Sequence, residues 1–273
     1  MNPENPFGVA LQLGRQQAYV DSYDASLLQP IARDLCRQSL AQQDFVGCDI
    51  WTAYELSWLD ATGKPQVAVA EFVVPASSSH LIESKSFKYY LNSLNQTRFA
   101  DRAALQALLL HDLSVAAGAP VTLSFLPNDF YRQADDIGAQ LVDDLPLDTN
   151  IYAPDASLLL TGDAAVMDEQ VLCSHLLKSN CPVTGQPDWA SVWVGYTGAQ
   201  ILPASLLAYI VSFRQHQDFH ENCVEQMYVD IWQRCAPQTL WVYARYTRRG
   251  GLDINPFRSS YERAAPVVRG FRQ

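Results

Sequence analysis

In the stretch "LLKSNCPVTGQPDWAS" (residues 176–191), Cys181 precedes a proline at the end of an apolar run, and Asp188 follows seven residues later, just before a tryptophan. A thiol becomes a useful nucleophile when a neighbour supplies or receives protons, and a carboxyl on the strand returning from a closed hairpin can reach a thiol at the turn. The same spacing suits a structural hairpin that contains a thiol. The other five cysteines, Cys36, Cys48, Cys173, Cys223 and Cys235, read as small apolar packing residues, because free cysteine is among the most buried types. No C-x-x-C pair occurs, so the spacing offers neither a zinc knuckle nor a dithiol redox motif, and no metal is expected.

Two acids and a histidine stand at similar junctions. Glu83 precedes one helix-like run, and "FHE" sets Phe219, His220 and Glu221 where two others meet. On composition, His220 also fits a helix end, and Glu221 a first-turn acid favoured by the helix dipole. In "LIESKSFKYY" (residues 81–90), Ser84 opens a helix with Lys85 and Lys88 in its first turn. Unpaired N–H groups and two ammonium groups there suit a phosphate, while an ordinary capped amphipathic helix with solvated lysines is the commoner case.

The elements that must position these residues occur twice in the same order. In the first half, "CDIWTAYELSWLDATGKPQVAVAEFVVP" has two β-rich runs around the turn "DATGKP". The runs "SKSFKYYLNSLNQ" and "DRAALQALLLHDLSVAAG" follow with helical spacing and Asp101 as an N-cap, and "PVTLSFLP" closes as a strand. In the second half, "QVLCSHLLKSNCPVTGQPDWASVWVGYTG" repeats the paired β runs, "PASLLAYIVSFRQ" and "HENCVEQMYVDIWQRC" supply helices, and "TLWVYARYTRR" is the closing strand. This repeated ββααβ order predicts an α+β protein of two similar domains, residues 1–150 and 151–273, with antiparallel sheets each covered on one face by helices. Parallel βαβ winding is disfavoured. No G-x-G-x-x-G or G-x-x-x-x-G-K-[ST] occurs, so a Rossmann or P-loop site has no support.

Composition narrows the chemistry. With 273 residues and 48% hydrophobic content, the chain can bury one large core or two of roughly 130 residues each. Its start, "MNPENPFGVALQLGRQQ", lacks the basic and apolar blocks of a secretory signal, and no apolar run approaches the roughly 18 residues of a membrane span. A cytosolic protein with free thiols is expected. A net charge of −10 argues against nucleic acid or a membrane surface as the main partner, which leaves small-molecule chemistry. Residues 133–177 hold nine acids and no Lys or Arg, which reads as a linker. Residues 239–273 instead hold Arg245, Arg248, Arg249, Arg258, Arg263, Arg269 and Arg272, fitting either a phosphorylated ligand or solvated arginines on a terminal strand and tail.

The runs "ESKSFKYYLNSLNQTRF", "SNCPVTGQPDW", "FRQHQDFHENCVE" and "YARYTRRGGLDINPFR" resemble the signature motifs of the 7-cyano-7-deazaguanine reductases, the nitrile reductases of queuosine biosynthesis, in their long two-module form. The likeness extends from "DSYDASLLQPIARDL" to the C-terminal arginines. It implies two tandem tunnelling-fold modules. It also implies that Cys181 attacks the nitrile carbon to give a thioimide, that Asp188 protonates the nitrogen, and that His220 assists later proton movement. The resemblance further assigns substrate contacts to Ile82, Glu83, Ser84, Phe219, His220 and Glu221. NADPH would meet Ser84, Lys85, Arg249 and Gly250, and a homodimer is implied. The related cyclohydrolase branch holds a zinc through cysteines and histidine, and this chain lacks the paired histidines such a site needs near Cys181. Two other classes remain in view: a thiol-dependent amidohydrolase, and a non-catalytic purine or pterin binder.

Overall fold

The computed structural model of the chain describes residues 20, 22–38, 40, 44–127, 137–268 and 273. The signal-free reading of residues 1–17, and Asp135, Asp136, Arg269 and Arg272, lie outside these residues. The chain divides into two compact units. The first comprises Met1–Ser39, Ile50–Phe130 and Arg249–Asp253, the second Leu40–Asp49, Tyr131–Arg248 and Ile254–Gln273. Asp253 accepts hydrogen bonds from Thr52 N at 3.2 Å and from the Tyr54 hydroxyl at 2.7 Å, which ties the 249–253 turn to the first unit.

In the first unit, β1 (Pro30–Ala32), α1 (Arg33–Arg37), β2 (Val46–Leu59) from Ile50 onward, β3 (Pro65–Pro75), β4 (His80–Ile82), α2 (Ser84–Ser93), α3 (Arg102–Ala117) and β5 (Thr122–Phe125) follow in order. β3 pairs antiparallel with β5, and the short β1 with β4. Asp101 caps α3 by accepting from Ala104 N at 2.8 Å, and Gly118 closes it in the left-handed conformation. The core is aromatic: Phe87 of α2 packs its ring 5.2 Å from Trp51 and 5.4 Å from Phe72.

In the second unit, β6 (Gln140–Leu141), β7 (Thr161–Asn180), β8 (Pro187–Ile201), α4 (Pro203–Ser212), α5 (His220–Cys235), β9 (Thr239–Tyr246) and, from Ile254 onward, β10 (Leu252–Ser259) follow. β7–β8, β8–β9 and β9–β10 pair antiparallel, and only the two-residue β6 joins β7 in parallel. Strand alternation sends Ala190, Val192, Val194, Leu240, Val242 and Ala244 to one face, where they pack with Leu206, Ile210, Val224 and Met227 of α4 and α5. The architecture is α+β, with antiparallel sheets and helices in the order expected of two tandem tunnelling-fold modules.

Two expectations are corrected. Residues 161–177 of the acid-rich stretch are not linker but most of β7, and Glu169 on its open half accepts from Trp241 Nε1 at 2.9 Å, the Tyr261 hydroxyl at 3.1 Å and Arg263 at 2.7 Å. Arg258 is not solvated: it is wholly buried, paired with Asp49 at 2.8 Å and Glu225 at 2.7 Å. The strand that carries it, β10, went unread because Pro256 and uniform burial remove the alternation that marks a strand. Among the described residues, no helix is long and apolar enough to cross a membrane.

Candidate active site

The hairpin closes as its sequence suggests. The β7–β8 register pairs Ser179 with Asp188 and Asn180 with Pro187, and Cys181 N donates to Gln186 O at 2.8 Å. Gly185 takes φ +66° in the turn, a conformation that favours glycine, and its N donates to Cys181 O at 2.9 Å. Cross-strand partners share a face, as do residues two apart, so Cys181 and Asp188 are diagonal neighbours on the helix-covered side, a separation of roughly 7–8 Å between backbones. Cys181 is half-buried and Asp188 buried.

The turn is fastened to the start of α5. Asn180 N donates to His216 O at 2.8 Å, and Asp218 N to Asn180 O at 3.2 Å. Lys178 Nζ reaches both Asn180 Oδ1 at 2.6 Å and Arg214 O at 2.7 Å. Asp218 Oδ1 then accepts from Phe219 N at 2.8 Å and Asn222 Nδ2 at 2.7 Å, which fixes the first turn of α5. This wiring delivers His220 to the hairpin: its Nε2 lies 3.3 Å from Asp188 Oδ2. The ring stacks on Tyr246, centroids 3.8 Å apart and planes 2° apart. His220 Nδ1 is buried with no hydrogen-bond partner among the described residues, while Ser179 Oγ and the Tyr246 hydroxyl meet each other and the Cys223 thiol. Phe219 and Glu221, on either side of His220, are both buried, Glu221 at 2% exposure. A carboxyl and an imidazole thus share one corner, with a thiol in the turn that adjoins it. That set can add sulfur to an electrophile while moving a proton.

The thiols differ in the way burial dictates. It pushes Cys173 up to about 12, with Asp143 adding to the effect, and Cys235 up to about 11. Cys223 is driven well above the usual thiol range by burial and by the charge of Asp218. These three stay protonated near neutral pH. Iodoacetamide added to native protein should therefore modify Cys181 well before Cys173, Cys223 or Cys235, which label only on unfolding. Peptide mapping that finds Cys173 or Cys223 alkylated as fast as Cys181 would contradict this order.

The first unit holds the remaining candidates. Ser84 does begin α2, but the cap is Glu83: its carboxylate accepts from Lys85 N at 3.1 Å and Ser86 N at 2.7 Å, and the residue is 2% exposed. The N–H groups expected to meet a phosphate are therefore partly engaged by Glu83, and an anion at this end relies on the ammonium groups of Lys85 and Lys88. Ile82 ends β4 and is buried. Arg249 and Gly250 sit in the turn before Leu252, with Arg249 N donating to Leu252 O at 3.0 Å. Gly250 has φ +59°, and a Cβ there would lie 3.4 Å from Lys88 Cδ, so this turn rests against α2 next to the lysines. Gly251 has φ +73°, and a Cβ there would overlap the Glu55 carboxylate.

Sequence reasoning missed Tyr246, Ser179, Lys178 and Asp218. The alternation of "DWASVWV", continued back to Asp188, could have placed that acid on the apolar face. Nothing local marks Tyr246, which reaches His220 only through the β8–β9 pairing of Ala190 with Tyr246.

Comparison with known proteins adds to this geometry. A family described as "Nitrile reductase, 7-cyano-7-deazaguanine-reductase N-term" matches residues 19–125, and one described as "QueF-like protein" matches residues 187–265. The chain is 53% identical over 268 residues to the NADPH-dependent 7-cyano-7-deazaguanine reductase of Saccharophagus degradans, covering 97% of this chain and 99% of that protein. The protein of the same name from Teredinibacter turnerae is 56% identical over 250 residues, covering 91% and 90%. That from Burkholderia multivorans is 51% identical over 271 residues, covering 97% of both.

Proposed function

Because the chain belongs to the 7-cyano-7-deazaguanine reductase family, we propose that it reduces the nitrile of 7-cyano-7-deazaguanine to the aminomethyl group with NADPH. The observation that carries this reading is Cys181 on the closed hairpin with Asp188 as its diagonal neighbour and His220 Nε2 3.3 Å from that acid, in a chain more than half identical to named reductases. Cys181 sulfur adds to the nitrile carbon and Asp188 passes a proton to the nitrogen, so a poor hydride acceptor becomes a protonated thioimide, a better one. NADPH, when bound, supplies hydride. After the first reduction the C–S bond breaks and the thiol is regenerated, leaving an imine. His220 assists the later proton transfers, and the second reduction gives the amine. Four electrons require two hydrides and two further protons.

In this reading Ser84, Lys85, Arg249 and Gly250 hold NADPH, with Lys85, Arg248 and Arg249 meeting its 2′-phosphate. Ile82, Glu83, Ser84, Phe219, His220 and Glu221 contact the base. The two modules of residues 1–150 and 151–273, a homodimeric state and a cytoplasmic location for queuosine biosynthesis complete the proposal. Purified protein mixed with 7-cyano-7-deazaguanine should consume two NADPH per nitrile, followed at the nicotinamide band, and should leave NADH largely untouched. Equal use of both nucleotides would overturn the cofactor assignment. A loss of nitrile with no nucleotide consumed would indicate a thiol-dependent amidohydrolase instead.

Glu221 has a definite expected role. The ring N–H and exocyclic amino group of a deazaguanine lie side by side, and one carboxylate accepts from both through charge-assisted hydrogen bonds. Glu83 carries its carboxylate on the α2 cap, and Glu221, buried in the first turn of α5 beside Phe219 and His220, is the candidate taken first for reading the base. In a Cys181→Ala background, where no adduct forms, Glu221→Gln should weaken nitrile binding by about 2 kcal/mol. Calorimetric affinity unchanged by the substitution would show that this carboxylate does not read the base.

A further inference from the structure

We propose that Tyr246 is a positioning residue for His220, fixing the plane of the imidazole through its ring face. The proposal rests on the nitrile-reductase reading of the same site. A histidine that moves protons commonly has its far nitrogen held by a carboxylate or a carbonyl, which sets the ring's orientation. Here Nε2 faces Asp188 at 3.3 Å, while Nδ1 is buried and makes no hydrogen bond among the described residues. One contact at Nε2 leaves the ring free to roll about that contact. The neighbour that removes this freedom is Tyr246, parallel to within 2° at 3.8 Å.

Tyr246 is itself held firmly. It is 1% exposed, its N donates to Asn255 Oδ1 at 3.2 Å, and it stands opposite Ala190, two residues along β8 from Asp188. The diagonal relation of Asp188 and Tyr246 on one sheet face sets an edge contact and a face contact on a single ring. Both supports come from neighbouring strands, so the imidazole is registered to the sheet as well as to α5. The tyrosine hydroxyl is directed to Ser179 and Cys223 rather than to the imidazole, so the ring face rather than the hydroxyl carries the role.

Tyr246→Phe keeps the face and Tyr246→Leu removes it. With the nitrile and NADPH, the phenylalanine variant should keep kcat within about 3-fold of wild type, whereas the leucine variant should lose about 10- to 100-fold in kcat with both KM values little changed. The leucine variant should still form the Cys181 adduct, because that step uses Asp188. A leucine variant with wild-type kcat overturns the proposal, and so does a phenylalanine variant as impaired as the leucine one, since the hydroxyl would then be the active part. If the leucine variant does not fold, proton NMR of wild type and Tyr246→Phe decides. The His220 ring signals, assigned by their loss in His220→Asn, should be shifted upfield by the stacked ring in both proteins, and unshifted signals overturn the proposal. A wild-type protein that neither forms an adduct nor consumes NADPH refutes the reductase reading, and the NMR shift still reports on the stack separately.

Discussion

Cys181→Ala should abolish turnover, and with it the covalent adduct that wild-type protein forms when 7-cyano-7-deazaguanine is supplied and NADPH withheld. Four observations converge on this thiol. Three of its five fellow cysteines are held protonated by burial. Cys181 lies at the mouth of a hairpin rather than inside a core. The turn around it is pinned at Asn180 to the segment leading into α5. An acid on the same sheet face is its diagonal neighbour. Intact mass should show one substrate on wild type and none on the alanine variant. An adduct that persists in Cys181→Ala, or that maps to Cys173 or Cys223, would place the nucleophile elsewhere. Asp188→Asn should retain substrate binding and slow adduct formation by roughly 100-fold or more, the usual scale for removing a general acid. Adduct formation at the wild-type rate in that variant would remove Asp188 from the step.

The largest expected loss of stability comes from a residue far from the chemistry. Arg258 is fully buried, and its guanidinium meets Glu225 through Nε at 3.0 Å and Nη2 at 2.7 Å, Asp49 at 2.8 Å and Cys48 O at 3.1 Å. Both carboxylates are buried as well. Removing the cation strands two desolvated negative charges, so Arg258→Ala should cost about 3–5 kcal/mol and lower Tm by on the order of 10 °C. Arg263 is the internal comparison. It approaches Glu169 at the same 2.7 Å, but with side-chain exposures of 25% and 35%. Water screens that pair, and Arg263→Ala should cost less than about 1 kcal/mol. Denaturation of the two variants side by side decides the matter, and equal losses would show that burial does not set the cost. Because Glu225 lies on α5, whose first residue is His220, a destabilised Arg258 variant should also lose activity on mild heating before wild type does.

How far local pattern reaches is visible residue by residue. The two hairpins, the paired helices and the closing strands of both halves were legible because each depends on spacing within a dozen residues, and α5 runs over the predicted stretch from His220 to Cys235. Cys181 and Asp188 were legible as a pair for the same reason, since a six-residue connection closes them. The acids of residues 161–177 were misread because charge density alone does not distinguish a linker from the open half of a long strand whose neighbour is supplied by β8. Glu83 and Arg258 show the deeper limit. Glutamate before a helix is equally a ligand contact or a cap, and an arginine near a C-terminus is equally solvated or buried. Which holds depends on groups brought near by folding: Gln29 O accepts from Glu83 N at 2.9 Å, and Asp49 meets Arg258 across more than two hundred residues of chain. Short-range periodicity and turn chemistry are enough to predict the repeated ββααβ order and the hairpin that carries Cys181 and Asp188. That Asp188 meets His220, that Tyr246 lies beneath that ring, and that Arg258 is locked between two acids follows from folding alone, because strand register and helix docking join residues whose separation along the chain carries no local signal.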